Sequence, residues 1–133
     1  MLHAFPMSAV RRFEDLIAWQ KARELAGLIY AATNRGEITG EFALKDQMRR
    51  ASVSIISNIA EGYERHGRRD FARCVGIAKG SAGELRAQIH LATDLRLLEP
   101  AVARELLERC EEVSRTLAGL RRALEAPRKQ PPR

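Results

Sequence analysis

Apolar residues recur every three or four positions through four long stretches of the chain, and that period predicts helices. Over 13–34 the stripe is Leu16, Trp19, Ala22, Ala26 and Ile29. Ile17, Leu25, Leu28 and Tyr30 widen it until only Gln20, Lys21 and Glu24 remain as a polar face. Such a width exceeds what one packed face requires. A second helix is predicted over 39–62, with Leu44, Met48, Ala51, Ile55 and Ile59 as its main stripe. A second stripe runs through Val53, Ile56, Ala60 and Tyr63. Two stripes fit two neighbours: two walls of one bundle core, or that core and another subunit. Gly62 reads as the C-cap glycine that ends this helix.

Gly67 then suits an N-cap, with Asp70 at the acidic third position. Phe71, Val75, Ala78, Ala82, Leu85, Ile89 and Ala92 carry a third helix to about Leu98. Gly76, Gly80 and Gly83 sit inside it, each costing up to about 1 kcal/mol against alanine. They predict close approach by another helix. A phosphate-binding loop does not fit, because no strand precedes them and no Gly-Lys-Ser/Thr follows. Pro100 fits the first position of a fourth helix, whose stripe is Val102, Leu106, Cys110, Val113, Leu117, Leu120 and Leu124. Four similar helices with short connections predict an all-α, up-down-up-down antiparallel four-helix bundle over 13–126. A flexible basic arm, 1–12, and a Pro-rich basic tail, 127–133, flank it, and the tail is predicted to be disordered. Met1 and Met7 are both candidate starts.

Composition supports a single helical domain: 133 residues, 45% hydrophobic, 5% aromatic, 9 Gly and 5 Pro. No apolar run approaches the roughly 18–20 residues of a membrane span. The chain start lacks a signal-peptide pattern, so a cytoplasmic location is expected and no membrane role. The formal charge of +6 suggests a polyanion partner, yet it is unevenly placed. All 17 acids lie between Glu14 and Glu125, and outside that span stand Arg11, Arg12, Arg128, Lys129 and Arg133. The remaining 18 basic residues nearly balance the acids, so the excess belongs to the two termini.

Candidate chemistry is sparse. A di-iron bundle site needs Glu-x-x-His on two helices, and no Glu is followed by His at that spacing. Two cysteines, Cys74 and Cys110, fit neither a disulfide framework nor a zinc pattern. The predicted bundle sets them roughly 20 Å apart in height. No nucleophile and base pair is visible, so no catalytic residue, metal or cofactor is expected and the chain is read as non-enzymatic. Glu61 near a helix C-terminus is read as an ion pair with Arg65, Arg68 or Arg69, the alternative being a contact point for a partner. A nucleic-acid reading aligns Arg65, Arg68, Arg69 and Arg73 along phosphates, with the doublet Arg49-Arg50 as a further contact. The interleaved Glu61, Glu64 and Asp70 also fit a plain solvated bundle end.

Phe13-Glu-Asp-Leu16, Ala18-Trp-Gln-Lys21, Arg49-Arg-Ala-Ser-Val-Ser-Ile55, Asn58-Ile-Ala-Glu-Gly-Tyr63, Ile77-Ala-Lys-Gly-Ser81 and Glu84-Leu85 together resemble the four-helix bundle family also called the 23S rRNA intervening-sequence protein or S23 family. The resemblance covers about 13–125. Two departures are Ile56, where the family usually has proline, and Gly67, where it usually has Ser or Thr. The first predicts a weaker kink in the second helix. The resemblance implies a four-helix bundle, a homopentamer as in some members, and structural roles for Trp19, Asn58, Glu61, Gly62 and Gly80. Some members are encoded inside 23S rRNA genes. Distant relatives are accessory proteins of retroelements that bind nucleic acid and a reverse transcriptase. The expected function is therefore an oligomeric scaffold whose partners are its own copies and RNA, DNA or a nucleic-acid enzyme. A protein-interaction module without nucleic acid is the alternative, and an uncharacterised enzyme stands third.

Overall fold

The structure, a computed structural model, describes residues 7–127; the flexible arm and disordered tail expected for the rest, including Arg128, Lys129 and Arg133, lie outside the described residues. Four helices form: α1 (Ile17–Thr33), α2 (Phe42–Glu64), α3 (Arg68–Asp94) and α4 (Pro100–Glu125). Each packs beside the next, and α1 closes the ring against α4. The described residues contain no strand. The architecture is the predicted antiparallel bundle.

The helical period buries the predicted stripes. Met48, Ile55, Ile59, Val75, Leu85, Ile89, Val113 and Leu117 are 0–1% exposed, and Leu44, Phe71 and Leu106 are also buried. The second α2 stripe is different: Val53 is exposed, and Ile56, Ala60 and Tyr63 are half-buried. Two predicted boundaries shift at α1. A 3-10 turn, Phe13–Asp15, comes first, and Leu16 is extended (φ −70°, ψ 126°) before α1 begins. Leu16 is nevertheless fully buried, and Phe13 meets Trp19 edge to face at 5.2 Å. The arm reaches the core earlier than its predicted boundary, since Val10 is buried and Met7 packs beside it.

Gly62 is not a C-cap. The helix continues to Glu64 and stops at His66, which is left-handed at φ +60°. Gly62 is instead a point of close approach: an added Cβ would lie 2.7 Å from the Cβ of Cys74 and 3.1 Å from the Phe71 ring. α2 is one uninterrupted helix across Ile56. Helix α3 ends at Asp94 rather than near Leu98, because Arg96 turns left-handed at φ +57°. Of its glycines, only Gly76 faces a tight neighbour, the Arg121 guanidinium. A Cβ at Gly80 or Gly83 would meet nothing, so the predicted helix approach does not occur there within one chain.

The α1–α4 seam is ionic. Lys21 pairs with Glu112, and Arg109 with Glu24 at 3.3 Å. The hydrogen bond from Lys21 holds the Glu112 carboxyl below its ordinary pKa, assisted by the charges of Lys21, Arg109 and Arg115.

Replacing Ile59 or Leu85 with alanine should cost roughly 2–5 kcal/mol, through lost burial plus a cavity. Gly62→Ala should cost about 1–3 kcal/mol by overpacking. Urea denaturation measures all three, and losses under about 0.5 kcal/mol at both apolar sites would assign the wrong faces. Because Glu112 is depressed in the folded state, its contribution is present above the unfolded carboxylate pKa and disappears as pH falls through the folded value. The denaturation midpoint should therefore fall further between neutral and acid pH for the native chain than for Glu112→Gln. An identical acid response in both would contradict the pairing.

Candidate nucleic-acid interface

The antiparallel order places Arg49 and Arg50 near one end of the bundle and Arg65, Arg68, Arg69 and Arg73 near the other. Sixteen residues of α2 separate Arg49 from Arg65, about 24 Å along the axis. Arg49 is committed to the fold. Its Nε donates to Thr33 Oγ1 at 2.9 Å, its Nη2 reaches the Tyr30 carbonyl at 3.5 Å, and its guanidinium lies 4.5 Å from the Tyr30 ring centre. It thereby serves the last turn of α1, where carbonyls lack helical partners. Arg50 pairs with Asp46 one turn back at 2.8 Å. These two arginines do not join the others in one surface.

At the opposite end, Arg65 donates to Glu61 at 2.8 Å, and that bond raises the guanidinium pKa further. The pair is the ion pair expected for Glu61. Arg68 reaches across to α4, where its Nη2 donates to the carbonyls of Ala123, Leu124 and Ala126 at 2.9, 3.1 and 3.3 Å. A guanidinium on the carbonyl end of a helix satisfies orphan acceptors and opposes the negative dipole end. Arg68 is thus a clamp between α3 and α4 as well as a surface cation.

Arg69 and Arg73 remain exposed and make no ion pair within the described residues. They line a cleft of about 700 Å³ between the start of α3 and the end of α4, together with Arg68, Arg121, Asp70 and Glu125. Arg121 donates to Glu125 at 2.6 Å and occupies the space left by Gly76. Sequence reading missed Arg121 as a wall of this cleft; the only signal was its doublet with Arg122. Four guanidiniums against two carboxylates give the cleft a positive field that suits phosphate oxygens. Arg11 and Arg12 precede α1 at this same end, where Arg12 pairs with Glu14 and Asp15.

Of the other signature residues, Trp19 and Asn58 make contacts within the fold and Gly80 makes none. Trp19 is half-buried against Phe13 and carries the Arg23 guanidinium 5.5 Å from its ring centre. Asn58 donates to the Ser54 carbonyl at 2.8 Å and to Ser54 Oγ at 3.1 Å, and Ser54 Oγ shares a 2.8 Å bond with Ser81 Oγ across to α3. Gly80 is exposed and touches nothing.

Cys110 is buried, its thiol donates to the Ala82 carbonyl at 3.2 Å, and burial pushes its pKa up to about 11. Cys74 is buried on α3 eight residues before Ala82, about 12 Å away along the axis and nearer than the roughly 20 Å predicted, and both are free. No cluster of three His, Cys, Asp or Glu side chains could hold a metal among the described residues. No described helix is long and apolar enough to cross a membrane.

The sequence profile described as 23S rRNA-intervening sequence protein matches residues 14–119. No curated protein matches the chain. A protein of unknown function from the S23 ribosomal protein family of Bacteroides thetaiotaomicron has a similar crystal structure, with TM-score 0.73 and 20% identity. That likeness covers 80% of this chain and 96% of the other and concerns the fold.

Arg68→Ala should destabilise the bundle by about 1 kcal/mol or more, since three carbonyls lose a charged donor. Arg69→Ala should stay within about 0.5 kcal/mol of the parent. Equal shifts in the urea midpoint would contradict this division between clamp and free cation.

Proposed function

The chain belongs to the 23S rRNA-intervening sequence protein family, and from that premise we propose that it is a non-enzymatic, homo-oligomeric scaffold that holds a nucleic acid at the arginine-rich end of its bundle. The observation that carries the reading is the pair Arg69 and Arg73, exposed and unpaired beside Arg68 and Arg121 in one cleft. Electrostatic contact with phosphates needs cations in this state, whereas Arg49 and Arg65 are already engaged within the chain. Among the described residues no aromatic ring lines the cleft for base stacking, so the contact in this reading is to the backbone and independent of sequence. Arg128, Lys129 and Arg133 follow α4 in the sequence and, in this reading, add to the attraction for a polyanion.

Self-association is supported by apolar surface left over in one chain. Phe42 is 74% exposed, and Ile77, Leu91 and Leu95 on α3 are also exposed. The open space at Gly80 and Gly83 leaves room for a neighbouring backbone on that helix. The family resemblance suggests five copies. Assembly would multiply the basic ends and raise their effective concentration toward one polyanion. The alternative, a protein-interaction module without nucleic acid, rests on the same apolar surface.

Light scattering in moderate salt should give a mass near five times the 14.9 kDa chain; a strict monomer at high micromolar concentration would reject the assembly. For RNA, affinity should fall steeply with salt through counterion release. The variant Arg69→Glu with Arg73→Glu should lower the slope of log affinity against log salt by about two. Reversing Arg128, Lys129 and Arg133 in the full chain tests the terminal share without removing the buried Val10. Absence of binding by the parent at low salt would favour the protein-interaction alternative.

A further inference from the structure

The end opposite the arginine cleft holds a recess of about 700 Å³, within the size range of small-molecule sites. It lies where the α1–α2 connection meets the α3–α4 turn. Its floor is apolar: Ala32 and Leu98 are buried, and Leu97 and Val102 are half-buried. Its rim carries four exposed charges, Arg35, Glu37, Arg96 and Glu99. None of the four makes an ion pair within the described residues. Elsewhere on this surface the same residue types pair repeatedly, as in Arg65 with Glu61 and Arg121 with Glu125.

Arg96 occupies this rim against its backbone preference. It stands at φ +57° in the turn that ends α3, where the Leu97 N–H donates to the Ala92 carbonyl at 2.9 Å and the Arg96 N–H to the Thr93 carbonyl at 3.0 Å. Glycine is the least strained residue at such a helix end. A guanidinium there, turned to a recess and without an ionic partner, is a reason to look for a ligand rather than a packing role.

We propose that this recess binds a short zwitterionic peptide with an apolar side chain. The apolar floor takes the side chain, as the body of a ligand is taken in most small-molecule sites. A rim guanidinium takes the terminal carboxylate through charge-assisted hydrogen bonds, and the carboxylate of Glu37 or Glu99 takes the ammonium. Two charges of each sign exclude the polyanion assigned to the other end, whose attraction depends on net positive charge. A neutral apolar ligand would leave all four charges unmet. The site is independent of the nucleic-acid reading, since it lies at the far end of the helices.

Leucyl-leucine is the probe, titrated calorimetrically into the full chain beside its N-acetyl and C-amide forms. Saturable binding by the free dipeptide, roughly tenfold or more weaker for each blocked form, is the expected result. Arg96→Gly should raise the melting temperature by relieving the backbone while weakening the dipeptide roughly tenfold. A purely structural Arg96 predicts the same rise with unchanged affinity, which would overturn its role. No saturable binding at millimolar dipeptide, or equal binding by the blocked forms, would overturn the site.

Discussion

At Gly62 the backbone of α2 comes so near α3 that any Cβ would meet the Cβ of Cys74 at 2.7 Å, and this approach fixes the first turns of α3. The chain reverses within a few residues after it, through the left-handed His66 and the Gly67 cap. With that register set, Ser54 falls opposite Ser81 and Phe71 packs edge to face on Tyr63 at 5.9 Å. Arg68 then emerges where α4 ends and reaches its three carbonyls. Arg68 thus closes the cleft against the end of α4, while Arg69 and Arg73 line it without an ion pair among the described residues. A wider α2–α3 spacing would move all three, so the electrostatics of that end depend on one missing side chain.

Ion pairs add orientation more than stability. Lys21 with Glu112 and Glu24 with Arg109 share a single antiparallel register between α1 and α4, and Arg86 with Glu111 does so between α3 and α4. All are substantially solvent-exposed, so each contributes little on its own. Their value is selective. A slipped helix would lose several pairs together and place like charges opposite one another, while the apolar stripes alone tolerate a shift by one turn.

The stripes were legible in the sequence because a 3.6-residue period and a buried face are the same fact seen twice. Leu44, Met48, Ile55 and Ile59 on α2, and Leu106, Val113 and Leu117 on α4, are buried as their spacing requires. Helix ends were less legible. A glycine near the end of a helix reads alike as a cap or as a close contact, and only the neighbour at Cys74 decides for Gly62. The end of α3 carries no glycine at all; Arg96 takes the left-handed position, so nothing in the residue type announces it. Among the arginines, composition cannot tell a clamp from a free cation. Arg49 and Arg68 serve the carbonyl ends of helices distant in sequence, and Arg121 enters the cleft because Gly76, forty-five residues earlier, leaves room for it.

An even number of antiparallel helices also makes the two ends of the molecule unlike. One end receives the segment leading into α1, the α2–α3 connection and the segment leaving α4; the other receives only two connections. At the first end the cleft sets Arg68, Arg69, Arg73 and Arg121 against Asp70 and Glu125, an excess of positive charge that the helix order brings together. The second end stays balanced, with Arg35, Glu37, Arg96 and Glu99 around an apolar floor. The helix count, itself set by where the apolar stripes stop, therefore puts a net-positive cleft and a charge-balanced recess at opposite ends of one small protein.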